Sequence, residues 1–242
     1  MAKSSGLSQK LFQGIYDISG DVGSIGTWST PVNVYEVTGL DKAGVERIQG
    51  LVSGNLSYNT YFNDATGAIF AASKVPDTDT IVTWAIGQTV GNVAGMMHGM
   101  NVSFDPTRAT DGMLTFDINM LGNGNIPVWG VMLTPGLKTD TGAANGSTLD
   151  QGAQTSAGAE GFLHVTSFTG SNFTATIQDS ANGSDWGTLK AFTQVTGTGS
   201  ERVTVSGTVE RYVRVISSGT FNPVSFAVSF RRGAATDTVT YA

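Results

Sequence analysis

Val34–Asp64 reads VYEVTGLDKAGVERIQGLVSGNLSYNTYFND. Its last part, Asn55–Phe62, alternates cleanly. Leu56, Tyr58, Thr60 and Phe62 fall on one side, and Asn55, Ser57, Asn59 and Tyr61 on the other. A period of two predicts a half-buried strand. A second strand-like run begins at Val34, and the connection between the two, Gly39–Gly54, holds Asp41, Lys42, Glu46 and Arg47. Compact domains join neighbouring strands with about two to five residues, so a longer charged connection needs a reason. It is too polar to fold back into a core and long enough to reach another molecule.

Outward from this stretch the signals stay β. The chain of 242 residues is glycine-rich, poor in charge and without cysteine. Glycine with abundant Ser, Thr and Asn points to strands and turns rather than long helices. The lack of cysteine excludes a disulfide framework, thiolate metal sites and thiol catalysis. No apolar run approaches membrane-spanning length, and no signal peptide is visible, so membrane insertion is not expected. Residues 1–150 carry 7 Lys and Arg against 13 Asp and Glu, whereas 151–242 carry 6 of each. A tight nucleic-acid binder needs clustered cations to replace phosphate counterions, and the only basic pair is Arg231–Arg232.

One helix is expected, over Asp64–Val75. Ala65, Ala68, Ile69 and Ala72 form an apolar stripe, Asp64 caps it and Pro76 stops it. Thr80–Ile86 is a strand. A long two-stranded element follows, with Met96, His98, Met100, Val102 and Phe104 on one face of the first strand and Leu114, Phe116, Ile118 and Met120 on the matching face of the second. Asp105–Gly112 supplies the turn. Lys138–Gly161 is nearly all small residues and is expected as an exposed linker between two packed units. Beyond it, six short strands between Phe162 and Phe230 suggest a sandwich. Asn182-Gly183 ahead of Trp186 marks a hairpin.

The opening stretch also resembles a known family. A strand ending in Val37-Thr38-Gly39-Leu40, a charged loop with Glu46-Arg47-Ile48-x-Gly50-Leu51, and a strand Gly54-x-x-x-Tyr58-x-x-x-Phe62 are similar to the tail tube (major tail) proteins of long-tailed phages. The resemblance covers roughly residues 10–140. It implies a mainly β fold with a tube-type sandwich or barrel and one flanking helix over 1–140, including an N-terminal arm. Residues 141–161 are then the linker, and 162–242 a small decorating sandwich. VERYVRV (Val209–Val215) and SFAVSF (Ser225–Phe230) in that last part resemble the Ig-like or galactose-binding-like sandwiches of phage particles.

The family resemblance also implies a structural role in the virion tail, with assembly in the host cytoplasm. It carries no catalytic residue, cofactor or metal. The expected partners are further copies of the chain in stacked hexameric rings, the tape measure protein during assembly, and DNA passing through without tight binding. Asp41, Lys42, Glu46 and Arg47 become inter-ring contacts.

Eight residues on outward strand positions become the lumen wall: Asn55, Ser57, Asn59, Asn101, Ser103, Thr115, Asp117 and Asn119. They are small, polar and neutral or acidic. An ordinary solvated face explains them equally, but such faces usually carry lysine to discourage edge pairing. A wall past which DNA moves should offer phosphates no cation. If each of six subunits gives four strands about 4.8 Å apart, the closed barrel is roughly 115 Å around and about 37 Å across, wide enough for a duplex.

The remaining candidates have bland readings. His98 and His164 sit in strand patterns with no nucleophile or carboxylate motif beside them, as core or interface histidines do. The glycines of Gly20–Gly26 lack the spacing of a dinucleotide fingerprint. Asp77 with Asp79, and Asp179 with Asp185, lack calcium-loop spacing. The rival function is a carbohydrate-binding adhesin or head-decoration protein that stacks a host-surface glycan on aromatics such as Trp186.

Overall fold

Strands make up nearly all of the regular structure of the chain, whose computed structural model describes residues 7–65, 68–73, 79–124 and 126–233. The first half contains β1 (Lys10–Gln13), β2 (Tyr16–Asp17), β3 (Val22–Ser29), β4 (Val32–Glu36), β5 (Arg47–Val52) and β6 (Asn55–Tyr61). The helix α1 (Ile69–Ser73) follows, then β7 (Thr80–Ala85), β8 (Val93–Arg108), β9 (Leu114–Gly122) and β10 (Val128–Met132). The second half contains β11 (Lys138–Asp140), β12 (Ala144–Asn145), β13 (Leu149–Asp150), β14 (Ala159–Ser180), β15 (Gly187–Ala191), β16 (Gly199–Val205) and β17 (Tyr212–Arg232). The mainly β class expected from composition is what the chain adopts.

All strands except β4 and β5 belong to one hydrogen-bonded sheet that folds over itself. Antiparallel pairing runs β3-β6-β9-β8 on one side, and β8 then pairs with β7 and β10. β10 passes the sheet to β17, which pairs along its length with β14. Two main cores follow from this. Leu11, Ile18, Leu56, Tyr58, Ile69, Met97 and Ile118 pack in the first half. Phe173, Ile177, Val213, Phe226 and Phe230 pack in the second.

Three expectations change. Lys138–Gly161 is not a free linker: β11, β12 and β13 pair in turn with Val224–Phe226, Ile216–Ser217 and Tyr212–Val213 of β17. Small residues suit that path, because Gly146 lies so close to the Val215 carbonyl that a side chain would collide with it. Four of the expected short strands fuse into β14 and β17, whose register shifts near Gly170 bend the pair without ending it. The helix is described only over Ile69–Ser73; residues 66, 67 and 74–76 of the expected span and its stop lie outside the described residues. Its first amide is capped by Asp21 Oδ2 at 3.1 Å rather than by Asp64, because Asp21 is steered there by Asn63 Nδ2 at 2.9 Å.

The halves meet at a buried polar chain. His164 of β14 donates from Nδ1 to the Gly14 carbonyl at 2.7 Å, which leaves Nε2 to accept from Thr83 Oγ1 at 2.9 Å. Thr83 Oγ1 lies 3.0 Å from Ser229 Oγ. The imidazole stacks on Phe12 with centroids 5.6 Å apart. Nearby, Glu160 is buried between Arg202 and Arg231, at 3.0 and 3.1 Å. A carboxylate held this way costs several kcal/mol to leave unpaired, so it fixes the register of β14 between β16 and β17.

Burial pushes the His164 imidazole down to about 4 from its ordinary 6.5, against a smaller opposing pull from the Gly14 carbonyl. The unfolded chain therefore binds a proton that the folded chain refuses. The stability this group carries is complete above pH 6.5 and is lost as pH falls from 6.5 through 4. The loss amounts to roughly 3 kcal/mol. Urea unfolding across that range should show stability falling with acidity, and His164→Gln should flatten the slope. A second expectation concerns Gly95, where an added Cβ would lie 2.7 Å from the Trp28 indole. Gly95→Ala should cost about 1–3 kcal/mol by thermal melting and shift tryptophan fluorescence.

Candidate assembly surfaces

β3, β6, β9 and the far part of β8 form a four-stranded wall with one apolar and one polar face. The apolar face follows from alternation: Leu56 and Tyr58 of β6 and Ile118 and Met120 of β9 are buried in the first core. The polar face is aligned by register. Ser57 lies opposite Asn119, Asn59 opposite Asp117, and Tyr61 opposite Thr115. Ser103 and Asp105 of β8 continue the rows through Asn119 and Asp117, and Ser24 and Thr27 of β3 extend them beyond Asn59 and Ser57. Asn59 Nδ2 donates to Asp117 Oδ1 at 2.7 Å. No lysine or arginine stands in these rows among the described residues.

Seven of the eight residues expected on this face are brought together on it. Asn101 is not. A register shift between Asn101 and Ser103 makes Val102 a bulge residue, so Asn101 pairs with Met120 on the apolar side and is only 4% exposed. One inserted residue flips every side chain before it relative to those after it. The same bulge splits the face expected to hold Met96, His98, Met100, Val102 and Phe104: Met96 packs with Ile81, Val128 and Phe162, whereas Phe104 packs on the first core.

Both margins of the wall are open among the described residues. β3 pairs only with β6, and β8 beyond Gly99 pairs only with β9. Such margins present rows of backbone donors and acceptors that template pairing with another chain. β3 has no charge along it to discourage this, although Pro106 and Arg108 blunt the last part of β8.

β4 and β5 form a separate two-stranded hairpin, Val34 opposite Gln49 and Glu36 opposite Arg47. The long loop expected over Gly39–Gly54 is therefore shorter, since Arg47–Val52 is strand. Its four charges are not all free to meet a partner. Lys42 Nζ pairs with Glu46 Oε1 at 3.4 Å within the turn, and Arg47 sits in β5 across from Glu36.

The feature missed in the sequence is apolar. Val34, Tyr35, Val37, Leu40, Ile48 and Leu51 are all exposed, Leu40 fully. All but Leu40 are about half exposed, so covering each contributes on the order of 1 kcal/mol, and Leu40 about 1.5–3 kcal/mol. An exposed ion pair contributes at most about 1 kcal/mol, so the apolar groups outweigh the charges as a docking force. The signal was the run of β-branched and aromatic residues, which alone could not show that no second sheet covers them.

The second half differs. Among the described residues, every exposed large apolar side chain lies between Leu7 and Trp129. The Asn182-Gly183 turn forms as expected, with Asn182 Oδ1 accepting from the amides of Ser184 and Asp185. Trp186 is covered by the Arg214 guanidinium 4.1 Å from its ring, and Arg214 is held by Gln178. Arg211 grips Asp150 and holds its carboxyl down to about 2. Arg231 is occupied with Glu160, and Arg232 with the carbonyls of Ala153 and Glu210. Asp79 accepts from Asn123, Asp179 from the Glu210 amide, and Asp185 from Asn182; Asp77 lies outside the described residues. His98 sits beside the Asn123 carbonyl at 3.2 Å.

No protein-family model matches the chain, and no curated protein matches it. Among solved structures it is similar to the tail of an empty GTA particle refined with C6 symmetry, at 19% identity and a TM-score of 0.35, over 54% of this chain and 98% of that one. It is also similar to the SPP1 Dit (gp 19.1) protein, described as a hub adsorption apparatus in phages infecting Gram-positive hosts. There the identity is 10% and the TM-score 0.33, over 92% of this chain and 99% of that one.

Proposed function

We propose that the chain is a structural, non-enzymatic subunit of a phage tail tube. The observation that carries this reading is the four-stranded wall: among the described residues it is open at both margins, apolar behind and free of cations in front. Open margins on opposite sides let copies pair strand to strand around a ring, and closing the ring removes the edges. Ser57, Asn59, Ser103, Thr115, Asp117 and Asn119 then line a channel that gives DNA phosphates nothing to grip. The second half, whose large apolar groups are covered, stands outside as decoration. The exposed hairpin links tiers, as a heterologous contact that repeats without closing.

Purified protein viewed by negative stain should show rings or tubes, and a strictly monomeric particle at all concentrations would remove the proposal. Two variants sharpen it. Val102→Lys places a charge at the bulge on the open margin of β8; it should melt within about 1 kcal/mol of the parent yet fail to close rings. Asp117→Lys with Asn119→Lys should still assemble, but the tubes should retain DNA in a salt-dependent way where the parent does not. Equal DNA retention by both would place these residues away from the channel.

A further inference from the structure

The two ends of the wall differ. At one end β3 finishes at Ser29 and β6 begins at Asn55, and the hairpin projects from between them. At the other end Phe62 and Met113 lie just beyond the last paired residues, Tyr61 and Leu114. Here Phe62, Phe70, Phe104 and Phe116 touch in sequence, with centroids between 4.3 Å for Phe104–Phe116 and 6.1 Å for Phe62–Phe70. Phe116 is buried, but Phe62 and Phe70 are each 42% exposed and Met113 is 50% exposed. A core ordinarily closes over its rings, so among the described residues this one ends in an uncovered apolar cap.

We infer that this phenylalanine cap receives the hairpin of a second copy of the chain in the next tier. The inference rests on the tube reading and adds the receiving site to it. A projecting apolar element at one end and an uncovered apolar cap at the other are different surfaces of one molecule. Their contact is head to tail and leaves both outer ends free to repeat it. The dimensions agree. From Val32 to Leu40 the chain can extend at most about 30 Å, and β9 at about 3.4 Å per residue gives the wall a similar length. A tier displaced by one wall length is within reach. The hairpin also has cause to seek a cover, because a two-stranded ribbon is marginal in water by itself.

The chain of 242 residues has no cysteine, so introduced thiols report only each other. Leu40→Cys marks the hairpin tip, and Met113→Cys marks the cap. The double variant, oxidised after assembly, should give a ladder of covalent dimers, trimers and longer chains. Mixing the two single variants should give a heterodimer, and neither single variant alone should form a ladder. Phe62→Cys in place of Met113→Cys covers a contact displaced by a few residues. If rings or tubes form but neither pairing gives a ladder, the receiving site lies elsewhere and this inference falls while the tube reading stands. If the protein never assembles, both fall.

Discussion

β8 is hydrogen-bonded to three other strands, and the rest of the structure is arranged around the point where its partners change. Up to Gly99 it is an interior strand held by β7 and, over its first residues, by β10. Beyond that point it follows β9 alone. The first part ties the sheet to the second half of the molecule through β10 and β17. The second part supplies the outer strand of the polar wall. The Val102 bulge near the change reverses which face is apolar, so one strand serves two cores.

Legibility in the sequence followed the range of the forces involved. Asn55–Tyr61 alternates against a core directly beneath it, so its strand and faces could be read from that alternation alone. The Asn182-Gly183 turn is equally local. Asn101 could not be placed, because nothing in Asn101-Val102-Ser103 marks a bulge; the shift shows only in the pairing with Met120 and Asn119 of the partner strand. Lys138–Gly161 looked like a tether for a similar reason. Its partners lie far downstream on β17, and small polar residues give no pattern until that strand is in place. For the candidate surfaces, the polar rows were visible in the residue types. The exposed hairpin was not, since Val34, Tyr35 and Ile48 look like core residues until the missing cover is seen.

The distribution of apolar surface divides the molecule more sharply than its cores do. The second half covers its large apolar side chains and engages its arginines with Glu160, Asp150, Gln178 and backbone carbonyls. The first half leaves large apolar groups at both ends of one wall, along with two strand margins unpaired among the described residues. Burying hydrophobic groups on folding was available to both halves, and the proposed assembly accounts for the difference by covering the first half's groups after folding.

The hairpin has a kinetic consequence. With apolar groups exposed on a ribbon of two strands, little within the chain holds it in one conformation, and the entropy of ordering it is charged to whichever contact first covers it. Two free copies meeting in solution would bear that cost for a single small interface. A copy landing on a finished tier would bear it once while gaining lateral and axial neighbours together. If copies stack as proposed, growth from an existing template would outrun spontaneous nucleation, and length would be set by what starts and stops the filament rather than by the subunit itself.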